Sequence, residues 1–363
     1  MFGPFHLRVV HRLCRFQPHS ESRNTDKFIG LIFVGTVRLS CGHWVRISAF
    51  MSSRALPRLL QAPAVILLLA WMLVPLGMTL FFSFIRYVLN SLRRPEWTTP
   101  SIENWRGFGN YEYVLYKAKD FWLAAQNSLI IVGSIIFVTV ILGLAIAVLI
   151  NRTFPGRGIV RVLLISPFFV MPAVNAVLWI NMILDPVLGL NGLAVEGLNA
   201  MAASLRDVPL LGHFFSLWPE IEPVSFRATQ TAALAVIIMV SWQWTPFAVL
   251  IFMTSLQSED QQQKEAAILD GVGAWAQFRY LTIPHLARPI AIVVMIQAIF
   301  HLSLYAEIEI VSRGNGNKNL PYLIGEFASN NIGAASATGI LAVIMANIVA
   351  IFLLRIVGKS LMD

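Results

Sequence analysis

Charged residues and cysteines are both scarce in this sequence, and each shortage excludes a class of protein. Asp, Glu, Lys and Arg make up 13% of the 363 residues, about half the share that is usual in soluble domains. Hydrophobic residues make up 57%, more than one aqueous core could bury, which excludes an ordinary soluble protein and predicts a polytopic membrane protein. The two cysteines, Cys14 and Cys41, both lie in the first fifty residues. A disulfide scaffold or a cysteine-based site in the rest of the chain is therefore excluded.

Residues 1–50 differ in composition from the rest of the chain. They hold seven Lys or Arg and two acidic residues, so seven minus two gives +5 of the total net charge of +8. Their apolar stretch, 28–37, is too short to cross a hydrocarbon core of ~30 Å, and arginines and polar residues break up the region around it, unlike a signal peptide. We predict that 1–50 is a disordered tail or an over-long start, and that 51–363 is the membrane domain.

Six apolar runs are long enough to cross a membrane, at about 62–85, 128–150, 159–183, 231–256, 287–310 and 336–357. Backbone polar groups need internal partners in lipid, so we predict that all six are helices and that the fold is all-α. The short loop 151–161 carries Arg152, Arg157 and Arg161 and no acidic residue, which places it in the cytoplasm. Both termini and the segment between the fourth and fifth spans are then cytoplasmic as well.

The segment 258–284 has the signals of ordered structure rather than those of a plain connector. Ser258 and Gln261 form a capping-box pattern, which predicts a helix from Ser258 to Asp270. Gly271 is suited to end that helix in the left-handed conformation. A second short helix over 274–280 is predicted to break at Pro284. These residues alone leave two interpretations open: an amphipathic loop on the lipid surface, or a docking site for another protein.

This segment also carries a spaced motif: Glu-Ala-Ala, three residues, Gly, nine residues, an apolar residue, one residue, an apolar residue and Pro. The motif residues are Glu265, Ala266, Ala267, Gly271, Leu281, Ile283 and Pro284. The motif resembles that of the permease subunits of binding-protein-dependent ABC importers, apart from the exchange of Ile and Leu at 281 and 283. The resemblance implies a type I ABC importer permease fold. It also implies that 258–284 is a coupling segment that docks on a separate ATP-hydrolysing subunit, with Glu265 meeting a basic or polar group there.

The C-terminal region resembles the maltose-type carbohydrate permeases, and the sorbitol/mannitol group most closely. The matching residues are Asn319, Leu320, Tyr322, Leu323 and Ile324, then Gly333, Ala335, Ser336 and Ala337. The resemblance implies a multi-pass permease of the bacterial inner membrane that imports a sugar or polyol. Its implied partners are a second permease, two ATP-binding subunits forming a homodimer, and an extracytoplasmic solute-binding protein, with no nucleic acid. No cofactor is expected in this chain, because ATP and Mg would bind the ATPase subunits.

Polar side chains inside the predicted spans are costly in lipid and indicate a solute pathway. The candidates are Asn175 and Trp179 in the third span, Gln243 and Trp244 in the fourth, and His301, Tyr305 and Glu307 in the fifth. Aromatic faces with amides and carboxylates suit a polyhydroxylated solute, whereas an ion pump would need more charge at this depth. The alternative for each is a packing role, such as a hydrogen bond between helices for His301.

Three other functions are open to a protein of this kind. A stand-alone secondary transporter predicts internal repeats with interrupted helices, and the sequence contains no convincing repeat. An ABC importer permease for a non-carbohydrate solute fits the same motif. A membrane enzyme would need a nucleophile, metal-ligand set or P-loop, but Leu353 stands where the first glycine of a P-loop would precede Gly358-Lys359-Ser360. We therefore predict no catalytic site and no metal site in this chain.

Overall fold

The computed structural model describes residues 36–38, 44–46, 55–89, 95–152, 154–206 and 219–362, with side chains between 60 and 355 in these ranges. In the N-terminal segment, strands β1 (Thr36–Arg38) and β2 (Trp44–Arg46) pair antiparallel, with Val37 opposite Val45. The rest of the prediction for 1–50 lies outside the described residues. The chain divides into two units, residues 1–70 and residues 71–363.

From residue 55 onward the described chain is helical. The helices are α1 (Ala55–Ser83), α2 (Gly109–Glu112), α3 (Asp120–Ile150), α4 (Arg157–Ile165), α5 (Pro172–Leu178), α6 (Leu190–Arg206), α7 (Ala232–Gln257), α8 (Gln261–Leu269), α9 (Ala274–Gln277), α10 (Ile283–His301), α11 (Ala306–Ser312), α12 (Leu320–Ala328) and α13 (Ile332–Met362). Short 3₁₀ or π turns extend several of them, including Tyr113–Lys117 after α2, Ser166–Phe169 after α4, Trp179–Ile183 after α5 and Phe278–Thr282 after α9.

The core of the membrane region is the packing of α3 against α7. More of α7 is buried than of any other long apolar helix in the described chain. A Cβ at Gly143 of α3 would lie 2.6 Å from the Cβ of Ala248, so only glycine allows the two helices to approach this closely. One apolar cluster joins these helices to α5 and α11, and a second joins them to α10 around Phe252 and Leu286.

The third predicted span, 159–183, is not one straight helix. The apolar segments Arg157–Phe169 and Pro172–Ile183 are bent by 101° relative to each other. Pro167 and Pro172 bracket the bend, and proline cannot donate the hydrogen bond that would continue a helix across it. Five helices in the described residues are long and apolar enough to cross a membrane, and the bent pair, counted as one crossing, makes six.

The fifth predicted span, 287–310, also differs from the structure. The helix begins earlier and ends at His301, so that the apolar segment covers Ala274–His301. Leu302–Tyr305 form a turn, and the chain then enters the short helix α11. Tyr305 and Glu307 therefore lie beyond the end of this span rather than inside it.

A hydrogen-bonded junction ties the start of α3 to the loop before α12. Lys318 Nζ lies 2.9 Å from a carboxylate oxygen of Asp120 and 2.7 Å from one of Glu326. Ser128 Oγ accepts a hydrogen bond from the backbone N–H of Leu320 at 2.9 Å. Burial alone would lower the pKa of Lys318, but the two carboxylates outweigh burial and hold that pKa above its ordinary value.

Candidate functional site

The segment 258–284, for which the sequence predicts a coupling role, begins with a change of direction after α7. The backbone N–H and the hydroxyl of Ser258 both donate to the carbonyl of Ser255, at 3.0 and 2.8 Å, so Ser258 closes α7. The prediction that Ser258 caps the next helix is wrong. Asp260 is the cap instead, because its carboxylate accepts the backbone N–H of Gln262 at 2.9 Å and also favours the positive end of the helix dipole.

Helix α8 carries the first part of the motif and ends at its glycine. Lys264 of this helix pairs with Glu259, which precedes the helix. Gly271 has φ +74°. Its N–H donates to the carbonyl of Ile268 at 3.0 Å, and the N–H of Val272 donates to that of Ala267 at 2.9 Å. This pair of bonds is the Schellman motif, which requires the left-handed conformation that glycine adopts without strain. The glycine stop is confirmed, and the predicted helix is present but begins at Gln261 rather than at Ser258.

The second half of the segment joins the next span without a break. Helix α9 continues through the π turn Phe278–Thr282 into α10, and Ile283 N–H donates to the carbonyl of Phe278 across that turn. Pro284 lies in the first turn of α10. The predicted break at Pro284 is wrong, because the wider π turn precedes the proline and a proline is tolerated in the first turn that follows.

The segment 258–284 exposes apolar side chains on both sides of the turn at Gly271, and its part from Ala274 onward belongs to the fifth apolar segment. Leu269 is 88% exposed and Trp275 is 74% exposed, and Ile268 and Tyr280 are exposed as well. Helix α8 has no buried residue. Glu265 is also exposed, and its carboxylate accepts a hydrogen bond from Gln261 at 3.3 Å. An exposed group of apolar side chains with a charged neighbour is a feature of protein-binding surfaces.

A second feature lies among the spans, where polar side chains are buried together. Asn175 of α5 donates to the side-chain oxygen of Gln243 of α7 at 3.0 Å and to the carbonyl of Met239 at 3.2 Å. The amide of Gln243 donates in turn to the carbonyl of Val170. Val170 lies at the bend of the third crossing, so Gln243 satisfies a carbonyl that the interrupted helix leaves free. These two amides hold the bent crossing against α7.

The aromatic ring of Trp244 connects these amides to α10. Its centroid lies 4.8 Å from the imidazole of His301 and 5.4 Å from the ring of Phe168, edge to face in both cases. His301 and Gln297, one helical turn apart on α10, are both fully buried. Within the described structure, His301 Nε2 and both polar atoms of the Gln297 side chain have no hydrogen-bond partner. We call the buried residues Asn175, Gln243, Gln297 and His301, together with the half-buried Trp244, the buried polar cluster.

Residues 45–363 match the family of the binding-protein-dependent transport system inner membrane component. The chain belongs to this family. The match covers the whole helical region, including the coupling segment and the buried polar cluster. The prediction of the family from the spaced motif is therefore confirmed, as is the prediction of a multi-pass protein of the inner membrane.

Individual relatives agree with this assignment. The probable ABC transporter permease protein y4oQ of Sinorhizobium fredii is 31% identical over 262 residues, which are 72% of this chain and 76% of the relative. The trehalose transport system permease protein SugA of Mycobacterium tuberculosis is 23% identical over 320 residues, or 87% and 92% of the two chains. Family membership makes the chain a transport component and confirms the prediction that it is not an enzyme.

A solved structure confirms the predicted fold class. A bacterial ABC transporter that imports the acidic polysaccharide alginate contains a chain that superposes on this permease with a TM-score of 0.64. The superposition covers 84% of this permease and 96% of that chain, at 18% sequence identity. At this identity the likeness establishes the architecture and not the solute.

The remaining predicted pathway residues of the permease occupy two other places. Trp179 lies in the π turn after α5, 5.6 Å from the ring of Trp242, and with Ser241 it lines a cavity of about 640 Å³ between α3, α4, α5 and α7. Tyr305 stacks on Tyr322 with centroids 6.1 Å apart, and Glu307 is buried in the first turn of α11. The structure thus brings Asn175, Gln243, Trp244 and His301 together and leaves Trp179, Tyr305 and Glu307 outside that group.

Gln297 is the member of the cluster that the site prediction omitted. Its signal in the sequence was weak, because one amide in an apolar helix is as compatible with a hydrogen bond between helices as with a pathway. Its place one turn before His301 was the available clue.

Proposed function

We propose that this permease serves an ATP-driven importer of a sugar or polyol and that a separate ATPase subunit docks on α8 of its coupling segment. The observation that carries the proposal is the geometry of that segment. An exposed helix with the Glu-Ala-Ala sequence ends in a Schellman turn at Gly271, and apolar side chains face outward on both sides of the turn.

The chemistry of α8 suits a protein partner better than a lipid surface. A helix that lies on lipid has one apolar face and a basic polar face. Helix α8 reads Gln261 to Leu269 as QQQKEAAIL, with its apolar residues gathered at the C-terminal end beside the turn and a single basic residue. A cleft in a partner would receive that end, with Leu269 and Trp275 as apolar anchors.

The carbohydrate assignment is supported by the relatives and by the chemistry of the buried polar cluster. Relatives of this chain include permeases named for trehalose and for lactose. The cluster places an indole ring beside the His301 imidazole, and His301 Nε2 and both polar atoms of the Gln297 amide have no partner among the described residues. Sugar hydroxyls both donate and accept hydrogen bonds, and so match an amide and an imidazole that can do both.

The partners of the importer follow from the same proposal. The alginate transporter has been solved in complex with an alginate pentasaccharide-bound periplasmic protein. For this permease we propose an extracytoplasmic solute-binding protein, a second permease and two ATP-binding subunits. Approach of the two ATPase subunits would draw the coupling segments together and switch the permease pair from inward-facing to outward-facing.

The first experiment tests docking on α8. The permease is expressed with its candidate ATPase, and we expect the two to copurify from detergent and to support solute uptake in vesicles. Glu265→Lys should abolish uptake while the permease remains in the membrane. Gln263→Lys, which changes another exposed residue of α8, is the matched control and should transport normally. Equal transport by both variants would place docking elsewhere.

The second experiment tests the buried polar cluster as a solute contact. Loss of an aromatic contact of about 0.5–1.5 kcal/mol corresponds to roughly 2- to 13-fold in affinity. Trp244→Ala should therefore raise the KM for uptake by about that factor, and Gln297→Leu should raise it as well. Trp71→Ala, which removes an exposed indole of α1, is the control. Unchanged KM values in both cluster variants would assign the cluster to packing.

A further inference from the structure

The link between α7 and α8 contains a carboxylate that is turned inward. Ser258 and Asp260 are exposed, but the side chain of Glu259 between them is only 6% exposed. A carboxylate is withdrawn from water at a large cost in free energy unless charged and hydrogen-bonding partners compensate for it. The contacts of the Glu259 side chain therefore indicate its structural role.

Two partners meet Glu259 from opposite ends of the coupling segment. Its Oε2 lies 3.0 Å from Nζ of Lys264, on the second turn of α8. Its Oε1 accepts a hydrogen bond of 3.0 Å from the hydroxyl of Thr282, 23 residues later, in the π turn before α10. The ion pair has the distance but not the angle of a hydrogen bond, so Thr282 supplies the directed contact and Lys264 the charge.

A neighbouring contact fixes the base of the segment beside this carboxylate. His285 Nε2, on the first turn of α10, lies 2.9 Å from the carbonyl of Ser255 near the end of α7. The ends of α7 and α10 are thereby tied to each other, and Glu259 adds α8 to the same joint. No residue of α8 is fully buried, and only Lys264 and Ala267 are half-buried, so the contact of Lys264 with Glu259 is a main tether of this helix besides its two covalent ends.

We propose that Glu259 is a positioning residue that locks α8 to the joint of α7 and α10 through Lys264 and Thr282. The inference rests on the proposed docking of an ATPase on α8, and it adds the element that transmits force from that helix to the spans. A helix free to swivel at its ends would absorb the motion of the ATPase, whereas a helix fixed at the joint passes the motion to α7 and α10.

The first measurement uses the permease alone in lipid nanodiscs and does not depend on any partner. Lys264→Met removes the charge and keeps most of the aliphatic stem, and Thr282→Val removes only the hydroxyl. Each should raise hydrogen exchange of the α8 amides by roughly fivefold or more, because the helix opens locally more often. Thr254→Val is the matched control, since that hydroxyl bonds only within α7. Exchange equal to that of the control would overturn the lock.

The second measurement uses the complete importer and separates positioning from folding. In the assembled complex, Lys264→Met should lower the coupling ratio, which is the amount of solute taken up per ATP hydrolysed, at least about threefold. The ATPase should remain bound to this variant. The exchange Glu259→Lys with Lys264→Glu should restore that ratio, because a hydroxyl at 282 can accept as well as donate. A swapped variant no better than the single one would refute the pairing. An ATPase that fails to bind the unaltered permease would instead refute the proposed docking. The hydrogen-exchange data on the permease alone would still show whether Glu259 fixes α8.

Discussion

Replacement of Gly271 by alanine isolates the backbone conformation that ends α8. Gly271 has φ +74°, and a Cβ built there meets no atom within 4 Å. The substitution therefore creates no clash, and its cost is that of holding an L-residue in the left-handed region, roughly 1–2 kcal/mol. The ratio of the native turn to alternative turns should fall by about 5- to 30-fold.

The effect on function follows from the population of the native turn. If only the native turn presents α8 and Trp275 together, the affinity of the ATPase falls by at most the same 5- to 30-fold. The assay is the equilibrium binding of the purified ATPase subunit to the permease in nanodiscs, followed by solute uptake in vesicles. Gly271→Asn should recover most of the affinity, because asparagine tolerates the left-handed conformation far better than alanine.

Gly273 provides the matched control two residues away. It too has no atom within 4 Å of a built Cβ, but its φ is −66°, a conformation that alanine adopts freely. Gly273→Ala should leave ATPase binding unchanged and slightly stabilise the segment. Equal binding by the Gly271→Ala and Gly273→Ala variants would show that the left-handed turn does not set the docking geometry.

The remaining predictions concern stability. Gly316→Ala should lower the thermal midpoint well below that of Gly156→Ala in a fluorescence melt. Both glycines have φ near +80°, but a Cβ at Gly316 would clash with the carbonyl oxygen of Thr229, whereas a Cβ at Gly156 would meet no atom within 4 Å. The clash adds about 1–3 kcal/mol of overpacking. Equal midpoints would contradict that close approach. Lys318→Met should cost about 1 kcal/mol, measured in the same melt, because two ion pairs are lost at a partly exposed site. Since the pKa of Lys318 in the folded protein is raised, the stabilisation that Lys318 provides should be complete below the unfolded pKa of about 10.4 and should disappear as the pH rises through the folded pKa. The thermal midpoints of wild type and Lys318→Met, measured from pH 8 to 11, should therefore converge. Midpoints that keep a constant difference over this range would exclude the titration.

Most of the membrane fold was predictable because a long apolar run in lipid can adopt few structures other than a helix. The second and fourth spans could be predicted from their length and composition alone. The corresponding helices, α3 and α7, are unbroken. The interior Pro246 of α7 leaves that helix continuous, because neighbouring helices support a proline within a span. The helix end at Gly271 was likewise predictable, because a glycine after a helical run readily takes the left-handed conformation.

The errors occur where a local signal had two interpretations. Ser258 and Asp260 are both good cap residues, and the choice between them depended on how far α7 continued. Pro284 can break a helix or begin one, and the π turn before it decides. The bend in the third crossing lies between Pro167 and Pro172, both visible in the sequence, but the contact of Gln243 with the carbonyl of Val170 comes from another helix and is not encoded in residues 159–183 alone. The polar run from His301 to Tyr305, in contrast, could have indicated the end of the fifth span.

The two helices that leave the coupling segment are also the two that carry most of the buried polar cluster. Helix α7 bears Gln243 and Trp244 in its middle and closes at Ser258, a distance of about 20 Å at 1.5 Å per residue. Helix α10 begins beside Thr282 and ends at His301. The two helices pack side by side through a shared apolar cluster. Together they extend from the joint at Glu259 to the contact between Trp244 and His301. A displacement of α8 that the joint transmits would therefore reach the cluster through helices already packed together, and the carbonyl of Val170, held by Gln243, would carry it on to the bent third crossing.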